Sequence, residues 1–163
     1  MRWLLYNLLF AVAYVAMLPQ FLLRMRRRGG YRNRFGDRFG RYPDEVAGRL
    51  RSMDGAVWIH AVSVGEVYVA GQVMRSLRDR LPELRFVFST TSSTGWKEAE
   101  QVVGASDVLI YNPLDFPACV KRAMDTIRPC ACILTESEIW PNLIRFCHRR
   151  GVPLFLVNAR VSD

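Results

Sequence analysis

The stretch Val57-Trp58-Ile59-His60-Ala61-Val62-Ser63-Val64-Gly65-Glu66 decides the fold. Its first part is an apolar run rich in β-branched and aromatic residues, short enough for a strand covered on both faces. The run breaks into Ser63-Val64-Gly65-Glu66. Beyond it Val67, Ala70, Val73, Met74, Leu77 and Leu81 recur at spacings of three and four, one apolar face of a helix. The same pattern returns where Ile133-Leu134 gives way to Thr135-Glu136-Ser137-Glu138-Ile139-Trp140-Pro141-Asn142. A strand that ends in a polar loop and feeds a helix is where open α/β sheets hold their ligands. Both loops carry carboxylates there, Glu66 in the first and Glu136 with Glu138 in the second, and the two are expected to face one crevice.

Working outward, strands are expected at 57–62, 85–90, 107–111, 131–135 and 153–158, and helices at 67–81, 95–103, 116–127 and 141–150. Turn signals such as Leu81-Pro82-Glu83, Arg128-Pro129 and Gly151-Val152-Pro153 punctuate them. Short apolar strands alternating with helices predict a parallel sheet with helices on both sides, a Rossmann-like three-layer α/β sandwich. No G-x-G-x-x-G follows the first strand and no G-x-x-x-x-G-K-[ST] occurs, which disfavours dinucleotide binding and P-loop chemistry.

The chain has 163 residues and a net charge of +8, and residues 24–51 carry ten arginines against three acids. Ahead of that basic segment, residues 3–23 hold no formal charge. As a helix they reach about 30 Å, the thickness of a bilayer's hydrocarbon core. The basic flank after the run places the C-terminal side of the chain in the cytoplasm. Asn7, Pro19 and Gln20 keep a helix lying in the membrane interface as the alternative to a span. The organisation expected is a membrane anchor with its basic flank over 1–28, an arginine and aromatic membrane-proximal segment over 29–55, and the α/β domain over 56–163. In the middle segment Tyr31, Phe35, Phe39 and Tyr42 interleave with arginines. Beside an anchor they read as a stretch dipping into an anionic lipid surface rather than as a nucleic-acid binder.

Glu66 has two readings. Ser63-x-x-Glu66 is a capping box, and a carboxylate at a strand end is also a candidate for chemistry. Thr135-x-x-Glu138 fits a capping box too, but Pro141 suits the first position of a helix and argues that Glu136, Ser137 and Glu138 stay in the loop. Two carboxylates that close repel unless a cation, a donor or a substrate hydroxyl lies between them. A third polar loop, Thr90-Thr91-Ser92-Ser93-Thr94-Gly95, offers hydroxyls and helix amides to a phosphate or sugar, or simply caps its helix. His60 reads as a structural strand-end residue and His148 as a surface one, with no nucleophile at triad spacing. Cys119, Cys130, Cys132 and Cys147 match no metal-ligand spacing and read as small buried hydrophobes in a reducing compartment. No metal is expected.

Taken in order, the basic Tyr31-Arg32-Asn33-Arg34-Phe35-Gly36-Asp37-Arg38-Phe39-Gly40, then His60-Ala61-Val62-Ser63-Val64-Gly65-Glu66, Thr90-Thr91-Ser92-Ser93-Thr94-Gly95, Glu136-Ser137-Glu138-Ile139-Trp140-Pro141-Asn142 and Asn158-Ala159-Arg160-Val161-Ser162 resemble the N-terminal half of 3-deoxy-D-manno-octulosonic acid (Kdo) transferases. The resemblance implies a GT-B glycosyltransferase that moves Kdo from CMP-Kdo to lipid A precursor at the cytoplasmic face of the inner membrane. Its N-terminal domain binds the acceptor and its C-terminal domain binds the donor. It implies that Glu66 is the proton acceptor and Glu136 a transition-state stabiliser. Substrate contacts are implied for Ser63, Gly65, Thr91, Thr94, Gly95, Glu138, Arg32 and Arg34, with no cofactor beyond the donor substrate. The donor domain is expected to be missing from these 163 residues, leaving the chain alone inactive. Two other readings stay open: a non-catalytic, membrane-anchored lipid-binding module, and another GT-B transferase of lipid-linked sugars.

Overall fold

A computed structural model describes residues 2–28, 32–136 and 139–159, with side chains of residue 2 and of 24–33 excepted. It resolves into two compact units, residues 1–33 and Arg34–Asp163.

The first unit contains helix α1, Arg2–Arg28. Its stretch Trp3–Leu23 is long and apolar enough to cross a membrane, with a mean hydropathy of 1.6 and none of it buried. Leu4, Leu8, Val12 and Val15 are exposed along it. An unburied apolar run of that length is what a lipid environment covers.

The second unit is a parallel α/β fold. A 3-10 segment, Arg32–Phe39, and helix α2, Asp44–Ser52, lead into strand β1, Val57–His60. Next come α3 (Val64–Arg78), β2 (Phe86–Thr90), α4 (Ser93–Ala99), β3 (Val108–Tyr111), α5 (Pro117–Ile127), β4 (Ala131–Thr135), α6 (Pro141–Arg150) and β5 (Leu154–Val157). The strands lie in the order β3-β2-β1-β4-β5, every neighbouring pair parallel. Alternation along β1 sends Trp58 to one face, with Leu50, Val120, Ile127 and Leu143 from α2, α5 and α6. Val57 and Ile59 go to the other face, with Val67, Ala70 and Met74 of α3. These are the three expected layers. Chain order runs outward from β1 through β2 to β3, then jumps back to β4 beside β1. The switch point therefore falls between the C-terminal ends of β1 and β4, where such sheets open a crevice.

Several local expectations shift. α3 begins at Val64 because the Ser63 cap is satisfied there, and it ends at Arg78, leaving Leu81 outside the helix and 57% exposed. α4 likewise begins early, behind the Ser92 cap, and is only seven residues long. Cys130 is exposed while the other three cysteines are buried and free, because β4 starts one residue after it. The larger difference concerns the arginine and aromatic stretch. From Arg34 onward it belongs to the α/β unit rather than forming a surface segment apart from it. Asp37 and Arg38 are buried, and Ala47, Leu50 and Met53 enter the core. Aromatic faces and backbone carbonyls make this possible, since a guanidinium can be desolvated when its flat face stacks and its N–H groups find acceptors. Gly40 is part of the fit: its φ is +65°, and a Cβ would sit 2.6 Å from the Cys119 carbonyl oxygen.

Candidate active site at the switch point

The β1 loop is built around a closed capping box. Ser63 Oγ accepts from the Glu66 amide at 3.3 Å, and Glu66 Oε1 accepts from the Ser63 amide at 3.1 Å. The carboxylate does more than cap. Its Oε2 accepts from the Val62 amide at 2.9 Å and lies 3.0 Å from the hydroxyl of Thr135, across on β4. Burial pushes the Glu66 carboxyl up, yet the Val62 and Ser63 amides and the Thr135 hydroxyl together hold it below the usual carboxylate range. Glu66 is thus an ionised group at neutral pH, 5% exposed, just beyond the C-terminal end of β1. Ser63, Val64 and Gly65 in front of it are exposed.

Beneath it His60 closes β1. Its Nδ1 lies 3.0 Å from the Ser89 carbonyl, which can only accept, and this sets the ring proton on Nδ1. Ser89 Oγ, 2.9 Å from the same nitrogen, also accepts from Trp58 Nε1 at 2.8 Å and reaches Asn112 Oδ1 at 3.3 Å. Burial lowers the His60 pKa to about 4 against the opposing Ser89 carbonyl and Glu66 charge, so the ring is neutral. Its Nε2 and the indole Nε1 of Trp140 are buried with no hydrogen-bond partner among the described residues. The two rings meet edge to face with centroids 5.7 Å apart.

The β4 loop is held differently. Glu136 has a φ of +56°, a left-handed conformation that costs a side-chain-bearing residue free energy. Its amide donates to the Val157 carbonyl at 2.8 Å, and Asn158 Nδ2 reaches its Oε1 at 3.4 Å. Asn158 ends β5 in the same conformation, with φ +55°. Pro141 does take the first helical turn of α6, and Trp140 at the N-cap offers no side-chain cap. The cap comes instead from Asp115, between β3 and α5: its Oδ2 and Oδ1 accept from the Asn142 and Leu143 amides at 2.8 and 3.0 Å. Glu138 lies outside the described residues, as does the side chain of Arg32.

The third loop is a packed turn. Ser92 Oγ accepts from the Gly95 amide at 2.9 Å. A Cβ on Gly95 would come within 2.4 Å of Thr90 Oγ1 and 3.1 Å of the Val62 carbonyl, so glycine is what lets this loop lie against the β1 loop. Thr94 is exposed. The Thr91 carbonyl accepts from Arg38, whose guanidinium lies 4.6 Å over the Tyr111 ring. Arg34 pairs with Asp37 at 2.9 Å, donates to the Leu109 carbonyl at 3.3 Å and lies 5.4 Å over Trp96. Burial lifts the Asp37 carboxyl above its ordinary range, outweighing Arg34 and the Tyr111 amide. Arg34 and Arg38 therefore fasten the N-terminal segment to the ends of β2 and β3.

The structure thus brings Glu66 and Thr135 together at the switch point, with Glu136 the first residue beyond β4. Thr135, Asp115 and Asn158 are participants that sequence reasoning did not single out. For Asn158 the signal was present, in the Asn158-Ala159-Arg160 motif. For Thr135 and Asp115 it was not, because their partners are 69 and 27 residues away.

A parallel sheet in this order, with helices on both faces and a buried carboxylate at its switch point, defines a Rossmann-like α/β domain. The family model for 3-deoxy-D-manno-octulosonic-acid transferase (Kdo transferase) matches residues 33–163, and the chain belongs to that family. A Kdo transferase of Haemophilus influenzae is 36% identical over 132 residues, covering 81% of this chain and 30% of the relative. One of Bordetella pertussis is 36% identical over 146 residues, covering 85% and 33%. One of Chlamydia pneumoniae is 29% identical over 160 residues, covering 96% and 35%. The chain spans about a third of the length of the curated relatives it matches.

Proposed function

We propose that this chain is the acceptor-binding, base-carrying part of an inverting GT-B transferase that moves Kdo from CMP-Kdo to lipid A precursor (lipid IVA) in lipopolysaccharide core biosynthesis. The observation that carries the reading is Glu66, an ionised carboxylate at the β1–β4 switch point, held there by the Val62 and Ser63 amides and the Thr135 hydroxyl. A sugar hydroxyl is a poor nucleophile, and a positioned base typically contributes ~100- to ~10,000-fold. Glu66 takes the proton of the acceptor hydroxyl, and that oxygen bonds the anomeric carbon of Kdo as CMP leaves. Glu136 stabilises the charge that develops, helped by the proximity of Asn158 Nδ2. Ser63, Gly65 and Thr94 line the acceptor, Thr91 and Gly95 shape the loop behind it, and Arg34 holds the segment beside that loop; for Glu138 and Arg32 the support is the family motif alone. No cofactor is required beyond the donor substrate, and no nucleic acid is bound.

α1 anchors the chain in the inner membrane, with the α/β unit on the cytoplasmic side where the basic flank belongs. CMP-Kdo is bound by a second domain outside these 163 residues. The edge strand β5 supports a covering partner of that kind: Phe155 and Leu156, on opposite faces, are 53% and 45% exposed, whereas parallel strands are ordinarily covered on both sides. The test is to fuse this chain ahead of the C-terminal part of a relative and supply CMP-Kdo and lipid A precursor. Glu66→Gln should cut turnover ~100- to ~10,000-fold, and unchanged turnover would remove Glu66 from the role. The 163-residue chain alone should bind lipid A precursor and transfer nothing; detectable transfer by it would refute the need for a second domain.

A further inference from the structure

A hydroxyl carries one proton, and Thr135 Oγ1 stands between two oxygens. The His60 carbonyl lies 2.9 Å away and Glu66 Oε2 3.0 Å away. A carbonyl can only accept, and so can an ionised carboxylate. Thr135 and His60 are buried and Glu66 nearly so, where an unmade hydrogen bond is costly. While Glu66 is ionised the Thr135 proton cannot serve both oxygens fully. Once Oε2 carries a proton the conflict disappears: Glu66 donates to Thr135, and Thr135 donates to the His60 carbonyl. The other partners of the carboxylate, the Val62 and Ser63 amides, can only donate and so favour the ionised form alone.

We propose that Thr135 is a positioning residue for the base, its hydroxyl turning toward Glu66 Oε2 while the carboxylate is ionised and toward the His60 carbonyl once Oε2 is protonated. This rests on Glu66 acting as the base. Only the proton taken from the acceptor hydroxyl changes hands; at Thr135 no bond forms or breaks. A base gripped by fixed donors alone stays ionised but accepts a proton poorly, and a reversible partner relieves that. The charged and titratable groups on the surrounding elements leave this exchange in place. The His60 ring of β1 is neutral at pH 7. Glu136 comes directly after Thr135 on β4, and on α4 Glu98 is bound to the Tyr68 hydroxyl and Glu100 to Trp96 Nε1. Lys97 of α4 is exposed.

The sequence holds only two histidines, so labelling histidine carbonyl carbons with 13C yields one signal from His60 and a reference from exposed His148. The chain is read in detergent micelles at pH 7. Glu66→Gln stands in for the protonated carboxyl at Thr135: with its carbonyl on the Ser63 amide, its NH2 group donates to the Thr135 hydroxyl, and the Val62 amide gives up its acceptor. It should move the His60 carbonyl signal downfield in the otherwise unaltered chain and leave it in place in the Thr135→Val background. In the Thr135→Ser background the downfield movement should return. Thr135→Ala replaces Thr135→Val if the latter does not fold. Equal movement with and without the hydroxyl would mean a plain field effect and overturn the proposal, as would no movement in the unaltered chain. The readout needs no turnover, so it stands apart from the transfer assay. Active Glu66→Gln in the fusion would sink the base reading, whereas an unresponsive His60 carbonyl would sink the Thr135 exchange alone.

Discussion

The β1 and β4 loops look alike in sequence, each an apolar strand breaking into hydroxyl and carboxylate residues before a helix, yet they are built in opposite ways. The β1 loop is closed on itself. Ser63 and Glu66 cap α3 reciprocally, and Glu66 is fastened by three donors. The β4 loop is held from elsewhere. Asp115 caps α6 across 27 residues of sequence, and Glu136 sits in a strained left-handed conformation beside Asn158. A carboxylate near a strand end can therefore be either a pinned group of depressed pKa or a group aimed by backbone strain. The difference lies in which neighbours supply the hydrogen bonds.

The remote hold on the β4 loop rests most heavily on Asp115. Asp115→Ala leaves the Asn142 and Leu143 amides buried without their acceptor. At about 1–3 kcal/mol for each orphaned donor, a loss of about 4 kcal/mol is expected, measured by denaturant unfolding. A loss below about 1 kcal/mol, the usual value of a local cap, would show that the β4 loop is not held remotely.

Next in size is the pH response of His60, which ties the β1 loop to Trp140 of the other. The folded ring titrates near 4 and the unfolded ring near 6.5. Above pH 6.5 both states are neutral and the group contributes no pH dependence. As pH falls from 6.5 to 4 the unfolded state takes up the proton first, and about 3 kcal/mol of stability is lost. His60→Gln should flatten the fall in stability between pH 7 and pH 4.5, and an unchanged slope would place the titration elsewhere.

Glu66→Ala opens the capping box and strips an acceptor from the Val62 and Ser63 amides, an expected cost of about 2 kcal/mol. Its own pH effect has the opposite origin from that of His60 but the same direction. The depressed folded pKa contributes stability above the ordinary carboxylate range, lost as pH falls through the folded value. The smallest effect runs the other way. Glu136→Gly relieves the positive φ and should stabilise the chain by about 1 kcal/mol, while in the fused transferase it should depress turnover. A destabilised Glu136→Gly chain would show that the loop depends on the side chain rather than tolerating it.

The fold was largely legible because its signals are local. The period of Val67, Ala70 and Met74, the Ser63–Glu66 spacing and the place of Pro141 each arise from backbone geometry within one or two helical turns. α2 and the burial of Asp37 and Arg38 are not legible in the sequence, because a charged, arginine-rich stretch reads as solvated until aromatic faces such as Tyr111 and Trp96 are brought against it. The carboxylates were legible as candidates through their motifs, but the donors that hold Glu66 ionised were not.

A parallel α/β unit following an apolar helix, with acidic loops at two strand ends, can be read from the residues alone, since periodicity and capping act between near neighbours. That β4 returns beside β1 emerges only in the assembled sheet. That adjacency sets Thr135 between Glu66 and the His60 carbonyl, places Asp115 under α6 and makes glycine necessary at position 95. These arrangements depend on hydrogen bonds and close approaches between residues tens of positions apart, whose geometry exists only once the sheet has assembled.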